Sequence, residues 1–370
     1  MNLMGIIFAN IYDSSLGELT NKRTMASLPY GGRYRQIDFT LSNMTACGIR
    51  HIGIISRYNY QSLMNHVGSG EEWDLEMQEG GLEFLTPYAS ATTSGYKGKL
   101  DALNSAMDFL EFGDEEYVVL ADPGMLYNMD LKAVVENHIA SGKDITIVMK
   151  AGVANGKKRL DMAITLKDDN ITDMAVDYEA PEGYLASIGL FVIAKDLLIR
   201  EVKESVARNL YRFERDFVLR QYQAGNLSVN IYNYDGVVLF TESTEEYYKA
   251  NLATINPDIR KALFRGAHPI FTKVRDQVPS YYGEGCNLEN CTLADGCMLD
   301  GTVRNSVLFR HVNVGAGAVI EDSVIMNDTV VGENCYLKCV ILDKDVVVSP
   351  GARLVGTPTS PVILKRGETV

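Results

Sequence analysis

The chain is poor in the residues that build metal centres and disulfide frameworks. Its 370 residues include one tryptophan, five scattered histidines and six cysteines, none of them in a CxxC pair. That spacing excludes a zinc finger or ribbon. In a reducing compartment it also excludes a disulfide framework. The cysteines read as small buried hydrophobes. Positive charge is short as well: 35 Lys and Arg stand against 48 Asp and Glu, for a net charge of -13. An acidic chain lacks the basic face that nucleic acid demands. A small phosphorylated ligand needs only a local basic cluster. No apolar run approaches the roughly 20 residues of a membrane span. No charged segment precedes the first apolar run, so no signal peptide is read. The expectation is a cytoplasmic chain with no nucleic-acid and no membrane partner.

Glycine is plentiful, at 32 residues, yet missing where phosphate chemistry would want it. Residues 3–9 form an apolar run that reads as a buried first strand. The loop after such a strand is where α/β proteins hold nucleotide phosphates. Its backbone must approach the oxygens closely, which calls for glycine, and a basic residue must offset their charge. This loop instead reads Asn10, Ile11, Tyr12, Asp13, Ser14, Ser15. The downstream half, YGGRYRQIDFTLSN at 30–43, is well formed.

Further along, apolar strands near 51–56, 117–121 and 145–149 alternate with helical stripes such as Leu100, Leu103, Ala106, Met107 and Leu110. The alternation predicts a mainly parallel, doubly wound sheet. Residues 162–166 and 171–176 flank a β-hairpin turn. A helix is expected near 213–223. Ser243 with Glu246 predicts the start of a long helix. Domain boundaries are expected at 1–243, 244–285 (a helical linker) and 286–370. In the last of these, Val303, Ile320, Leu337 and Leu354 recur every 17 residues, as do Val307, Val324 and Ile341, and Leu308, Ile325 and Leu342. This period predicts a left-handed parallel β-helix of four coils, with the apolar positions lining its interior. Counting back 17 places Cys286, Cys291 and Cys297 in the same interior rungs. The flat faces of such a prism suit oligomer contacts.

This combination, with LTNKR at 19–23, GIRHIGII at 48–55, GYKGKLDAL at 95–103, LYNMD at 126–130, ASIGLFVIAKDLL at 186–198, EEYYKANL at 245–252 and AVIEDSVIMNDTVVGEN at 318–334, resembles bacterial ADP-glucose pyrophosphorylase (glucose-1-phosphate adenylyltransferase). The pattern is that of the GlgD-type subunit. The resemblance implies an α/β nucleotidyltransferase domain with a mixed, GT-A/Rossmann-like sheet, followed by the β-helix. The family joins ATP and glucose 1-phosphate into ADP-glucose and pyrophosphate, with two aspartates holding Mg²⁺.

Matched position by position, Asn10 and Ile11 stand for loop glycines, Asp13 for a third glycine, Ser15 for the loop arginine and Met25 for a phosphate-binding lysine. Gly124 replaces a metal-binding aspartate and Phe240 another aspartate, while Lys99 replaces a threonine. Asp122 and Asp130 are nearby carboxylates out of register. No catalytic set is therefore intact, and the resemblance implies no Mg²⁺ or other cofactor held by this chain, Mg²⁺ belonging to a catalytic partner. Gly98, Asp101, Glu179, Ser187 and Asp216 match substrate-pocket positions. Lys22, Arg23 and Arg35 match a regulatory site for a sugar-phosphate or phosphate effector, completed from the C-terminal region by Lys365 and Arg366. The reading is a non-catalytic regulatory subunit in glycogen biosynthesis, assembling with a GlgC-type catalytic subunit as a heterotetramer, and as a homo-oligomer when alone. Two alternatives remain open: an active transferase with a divergent phosphate loop, and a stand-alone sugar-phosphate sensor.

Overall fold

A computed structural model describes residues 2–10, 13–77, 80–86, 96–153, 161–168 and 170–370. The first strand, Leu3–Phe8, is buried along its whole length. It pairs in parallel with His51–Ile55 on one side and Tyr117–Ala121 on the other. Strands buried on both faces read as continuous apolar runs, which is what these segments are. The sheet has nine strands and is mixed rather than mainly parallel. The long strand Leu185–Ala194 runs antiparallel to Tyr117–Ala121, to Ile145–Lys150 and to Met162–Lys167. Met162–Lys167 and Asn170–Val176 form the expected hairpin.

Ser243 accepts a hydrogen bond from the backbone N–H of Glu246 and caps helix Thr244–Ala253, and Asn256 caps the next helix, Pro257–Phe264. Capping leaves fewer orphan N–H groups at each start. The segment 213–223 departs from the expectation of an ordinary helix: Phe213–Leu219 is a π-helix, followed by the short α-helix Arg220–Gln223.

The C-terminal part is a parallel β-helix whose three faces carry five strands each, one coil more than the repeat suggests. It begins at Tyr281–Tyr282, paired with Met298–Leu299. The pairings that follow this first one are 15 residues apart, not 17: Leu288 pairs with Val303, Leu293 with Leu308 and Leu299 with Val314. The rung positions are therefore these leucines. Cys286, Cys291 and Cys297 lie two residues earlier and pack against the same interior core. Corners of later coils recur in the left-handed region at Asn305, Asp322 and Cys339, and at His311, Asp328 and Asp345. Short Asn and Asp side chains tolerate that conformation best.

Two apolar rungs run side by side on one face. Leu308, Ile325 and Leu342 fill the prism interior. Val307, Val324 and Ile341 join the core of the α/β domain through Tyr247 and Tyr248 of helix Thr244–Ala253. Tyr248 also donates its hydroxyl to the Asp322 carbonyl. The two domains are thus joined by a shared apolar layer. Among the described residues, no helix is long and apolar enough to cross a membrane.

Candidate functional site

The loop after Leu3–Phe8 is closed by its own side chains. Asn10 Nδ2 donates to Asp13 Oδ2 at 2.5 Å, and Asp13 Oδ1 accepts from the backbone N–H of Met25 at 2.7 Å. Asn10 Oδ1 accepts from Ser56 Oγ and from the Arg57 N–H. Thr20 Oγ1 donates to the Asp13 carbonyl. Burial raises the Asp13 carboxyl above its usual range, against the bonds from Asn10 and Met25. A carboxylate therefore sits at the edge of this loop and holds the Met25 N–H. Ser15 Oγ donates to the Glu242 carbonyl. Met25 and Phe240 are core residues. Ile11 lies outside the described residues.

Beside the loop opens a cavity of about 290 Å³ lined by Phe8, Asn10, Arg57, Gly98, Lys99 and Glu214, among others. Lys99 starts helix Lys99–Ser105, and its side chain is 9% exposed. Its ammonium donates to Asp122 Oδ2 at 2.7 Å and also to Glu214 Oε1. Asp161, fully buried, accepts from Ser187 Oγ at 3.0 Å. Burial opposes the charge on Lys99, but Asp122, Glu214 and Asp161 outweigh it and hold the ammonium above its ordinary range. Burial pushes Asp122 up to about 6 and Asp161 up to about 8, the latter helped by the neighbouring carboxylates. Gly189 has φ +65, and a Cβ there would meet Asp122 at 2.8 Å, so glycine makes room for the cluster.

The matched pocket residues divide. Gly98 lines the cavity, and Ser187 stands behind it through Asp161. Asp101 accepts from the Lys97 N–H, and Asp216 accepts from the N–H groups of Tyr211 and Arg212. Both are local caps and not pocket ligands. Glu179 is exposed. The two positions that the resemblance assigns to Mg²⁺ do not fit an ion here. Gly124 has no carboxylate and uses its carbonyl to accept from Thr241, and Asp216 is committed to backbone. Asp161 and Glu214 were not identified in the sequence. Each lies far from Lys99 along the chain, and nothing local marks them.

A second cluster lies between the domains. Arg33, Arg35, Lys273, Arg275, Arg310 and Lys344 line one cleft, together with His66 and Tyr34, and among the described residues no Asp or Glu lines it. Its free space is about 20 Å³, so a sugar phosphate enters only by displacing side chains. Arg310 is buried, and its Nε and Nη2 have no hydrogen-bond partner. Burial lowers Lys344 to about 7, and Arg35, Arg23 and Arg275 add to the effect. Of the three matched regulatory residues only Arg35 is in this cleft, where it donates to the Ser62 carbonyl at 2.7 Å. Arg23 Nη2 donates to both carboxylate oxygens of Asp343 of the β-helix, and the pair is buried. Lys22 is exposed and does not line the cleft. Lys365 pairs with Glu18, and Arg366 with Asp345, at the surface.

Comparison with known proteins places this geometry. The nucleotidyl transferase family profile matches residues 5–235, and the GlmU-like C-terminal hexapeptide profile matches residues 277–359. The chain belongs to the nucleotidyl transferase family, as a GlgD-type member of the ADP-glucose pyrophosphorylase group. It is 31% identical over 366 residues to the glycogen biosynthesis protein GlgD of Bacillus subtilis, covering 99% of this chain and 96% of that one. It is 34% identical over 367 residues to the GlgD of Geobacillus stearothermophilus, with the same coverage of each chain. The glucose-1-phosphate adenylyltransferase of Fervidobacterium nodosum is 29% identical over 358 residues, covering 95% of this chain and 85% of that one.

Proposed function

We propose that this chain acts in glycogen biosynthesis as a non-catalytic regulatory subunit of glucose-1-phosphate adenylyltransferase, assembling with a GlgC-type catalytic subunit and taking a phosphorylated effector between its domains. The observation that carries the reading is the closure of the phosphate loop by Asp13 on Met25 and Asn10. A carboxylate at that point repels phosphate. Removing a single oxyanion-type donor typically costs about 10²–10³ in rate. Here the loop, the lysine position and a metal position fail together.

Assembly is supported by one outward rung of the β-helix. Tyr281, Met298, Val330 and Val347 are exposed in a single register, with Asn313 between them. Flat apolar patches of this kind mark association surfaces. Regulation then needs contacts that differ between two states of the partner.

The test is ADP-glucose formation from ATP, Mg²⁺ and glucose 1-phosphate by this chain, by the catalytic subunit and by the mixture, with size-exclusion chromatography of each. Expected are turnover by the chain alone at least about 10³-fold below the partner's, co-elution, and altered partner kinetics in the mixture. Robust turnover by the isolated chain overturns the reading. Unchanged partner kinetics without co-elution points instead to a stand-alone sensor.

A further inference from the structure

Carboxylates that converge at a cavity attract a hard cation. Here three of them, on Asp122, Asp161 and Glu214, have oxygens within 4.8 Å of one another, and all three residues are buried. An acidic cluster by itself means little. This one already holds a cation, since the Lys99 ammonium donates to Asp122 and Glu214. In addition, Oδ1 of Asp122 is buried and has no hydrogen-bond partner. A carboxylate oxygen wholly out of water with nothing to accept is a vacant ligand position, and Asp122 is only 1% exposed.

The oxygens and the ammonium come from four separate parts of the fold. Asp122 follows strand Tyr117–Ala121, Asp161 precedes strand Met162–Lys167, and Glu214 lies on the π-helix Phe213–Leu219. Lys99 reaches them from helix Lys99–Ser105. Ser187 fixes Asp161 through its hydroxyl, and Gly189 leaves room for Asp122. The carboxylates are thus positioned by strand ends and a helix, not by flexible loop.

We propose that Lys99 occupies this cluster as a tethered cation in place of a metal ion, and that shortening its side chain turns Asp122, Asp161 and Glu214 into a binding site for one hard divalent cation. Oxygen-only ligands select Mg²⁺, Mn²⁺ or Ca²⁺ over softer ions. The adjoining cavity, of about 290 Å³ and lined by both Lys99 and Glu214, leaves space for the water that such an ion keeps. The chain is then inert toward metal at this place because the positive charge is built in, whatever its role beside a partner subunit.

The experiment uses the full chain and Mn²⁺ as the probe. Free Mn²⁺ is followed by electron paramagnetic resonance, and melting temperature by calorimetry, for wild type, Lys99→Ser and Lys99→Ser/Glu214→Gln. Wild type should take up no Mn²⁺ and show no shift in melting temperature. Lys99→Ser should bind one equivalent and melt about 3–4 °C higher at a hundredfold excess of Mn²⁺ over its Kd. The double variant should bind at least about tenfold more weakly. If Lys99→Ser does not fold alone, Mn²⁺ in the refolding buffer should restore the native circular dichroism. Equal Mn²⁺ binding by wild type overturns the proposal. So does a folded Lys99→Ser chain that takes up no Mn²⁺, or an unfolded one that Mn²⁺ does not rescue. None of these outcomes depends on the adenylyltransferase assay, so the two readings fail separately.

Discussion

The cavity beside Lys99 and the cleft beside Lys344 are both lined by cations, yet their lysines are displaced in opposite directions. Lys99 is held above its ordinary range, and Lys344 is lowered to about 7. Burial works against the ammonium in both places. What differs is the company each lysine keeps. Lys99 meets Asp122 and Glu214 directly, with Asp161 behind them. Lys344 faces Arg35, Arg23 and Arg275, with Asp343 as the one opposing charge of note and itself paired with Arg23. The first cluster already pairs its cation with carboxylates and has no electrostatic need of an anion. The second carries more positive charge than Asp38, Asp295 and Asp343 offset, and that excess favours an anion.

Breaking the internal neutralisation should have the largest effect. Lys99→Met leaves two buried carboxylates without their cation, and loss of one member of a buried pair typically costs about 3–5 kcal/mol. Urea unfolding should therefore show a much lower midpoint with an unchanged slope. A wild-type midpoint would mean that the cavity is not held by charge.

In the cleft the same kind of change should act on binding and not on folding. Arg310 Nε and Nη2 are buried with no hydrogen-bond partner, Nε standing 3.8 Å from Asp295 Oδ2, which leaves Nη2 available to an anion. Hydrogen bonds to charged groups are worth about 1.5–3 kcal/mol, so Arg310→Gln should weaken sulfate binding by about ten- to a hundredfold in calorimetric titration. Its unfolding midpoint should not fall. A stability loss without an affinity loss would move Arg310 from ligand site to scaffold.

Lys344→Met sharpens the contrast, because removing this lysine should stabilise the chain. The folded state holds the Lys344 proton more weakly than the unfolded state, whose value is 10.5. The repulsion is fully present below about pH 7 and fades as pH rises toward 10.5, so wild-type stability gains over that window. The variant should exceed wild type by about 1–2 kcal/mol at pH 6 and lose that advantage in alkali. Sulfate keeps its charge across neutral pH, so its affinity for wild type should fall as pH rises through 7. The Lys344→Met chain should not show that slope. At the small end, Arg366→Ala removes an exposed pair with Asp345 and should change stability by about 0.5 kcal/mol or less.

Much of the frame was legible because it is local. The cap at Ser243 depends on a residue three positions away, and each β-helix rung is matched by its neighbour one coil further on, as Ile320 and Leu337 show. The first coil was misjudged for the same reason. Its pairs from Leu288 to Leu299 are 15 residues apart where the next ones are 17, and pairing, not periodicity, sets their register. The doubled apolar rung of Val307 and Leu308 signals a strand buried on both faces, though what covers the outer one, Tyr247 and Tyr248, lies in another domain.

The departure from a glycine-and-lysine phosphate loop was written in the sequence itself, since Asn10, Asp13 and Met25 stand at those positions of the resemblance. Only the tertiary structure decided what replaced it. Lys99 is protonated and sealed because Asp122, Asp161 and Glu214 converge on it. Arg23, matched to a regulatory site, is instead a strut to Asp343, and the cleft draws its charge from Arg310, Arg275 and Lys344. Electrostatic energy depends on distance and burial, and both are set by which parts of the chain the fold brings together.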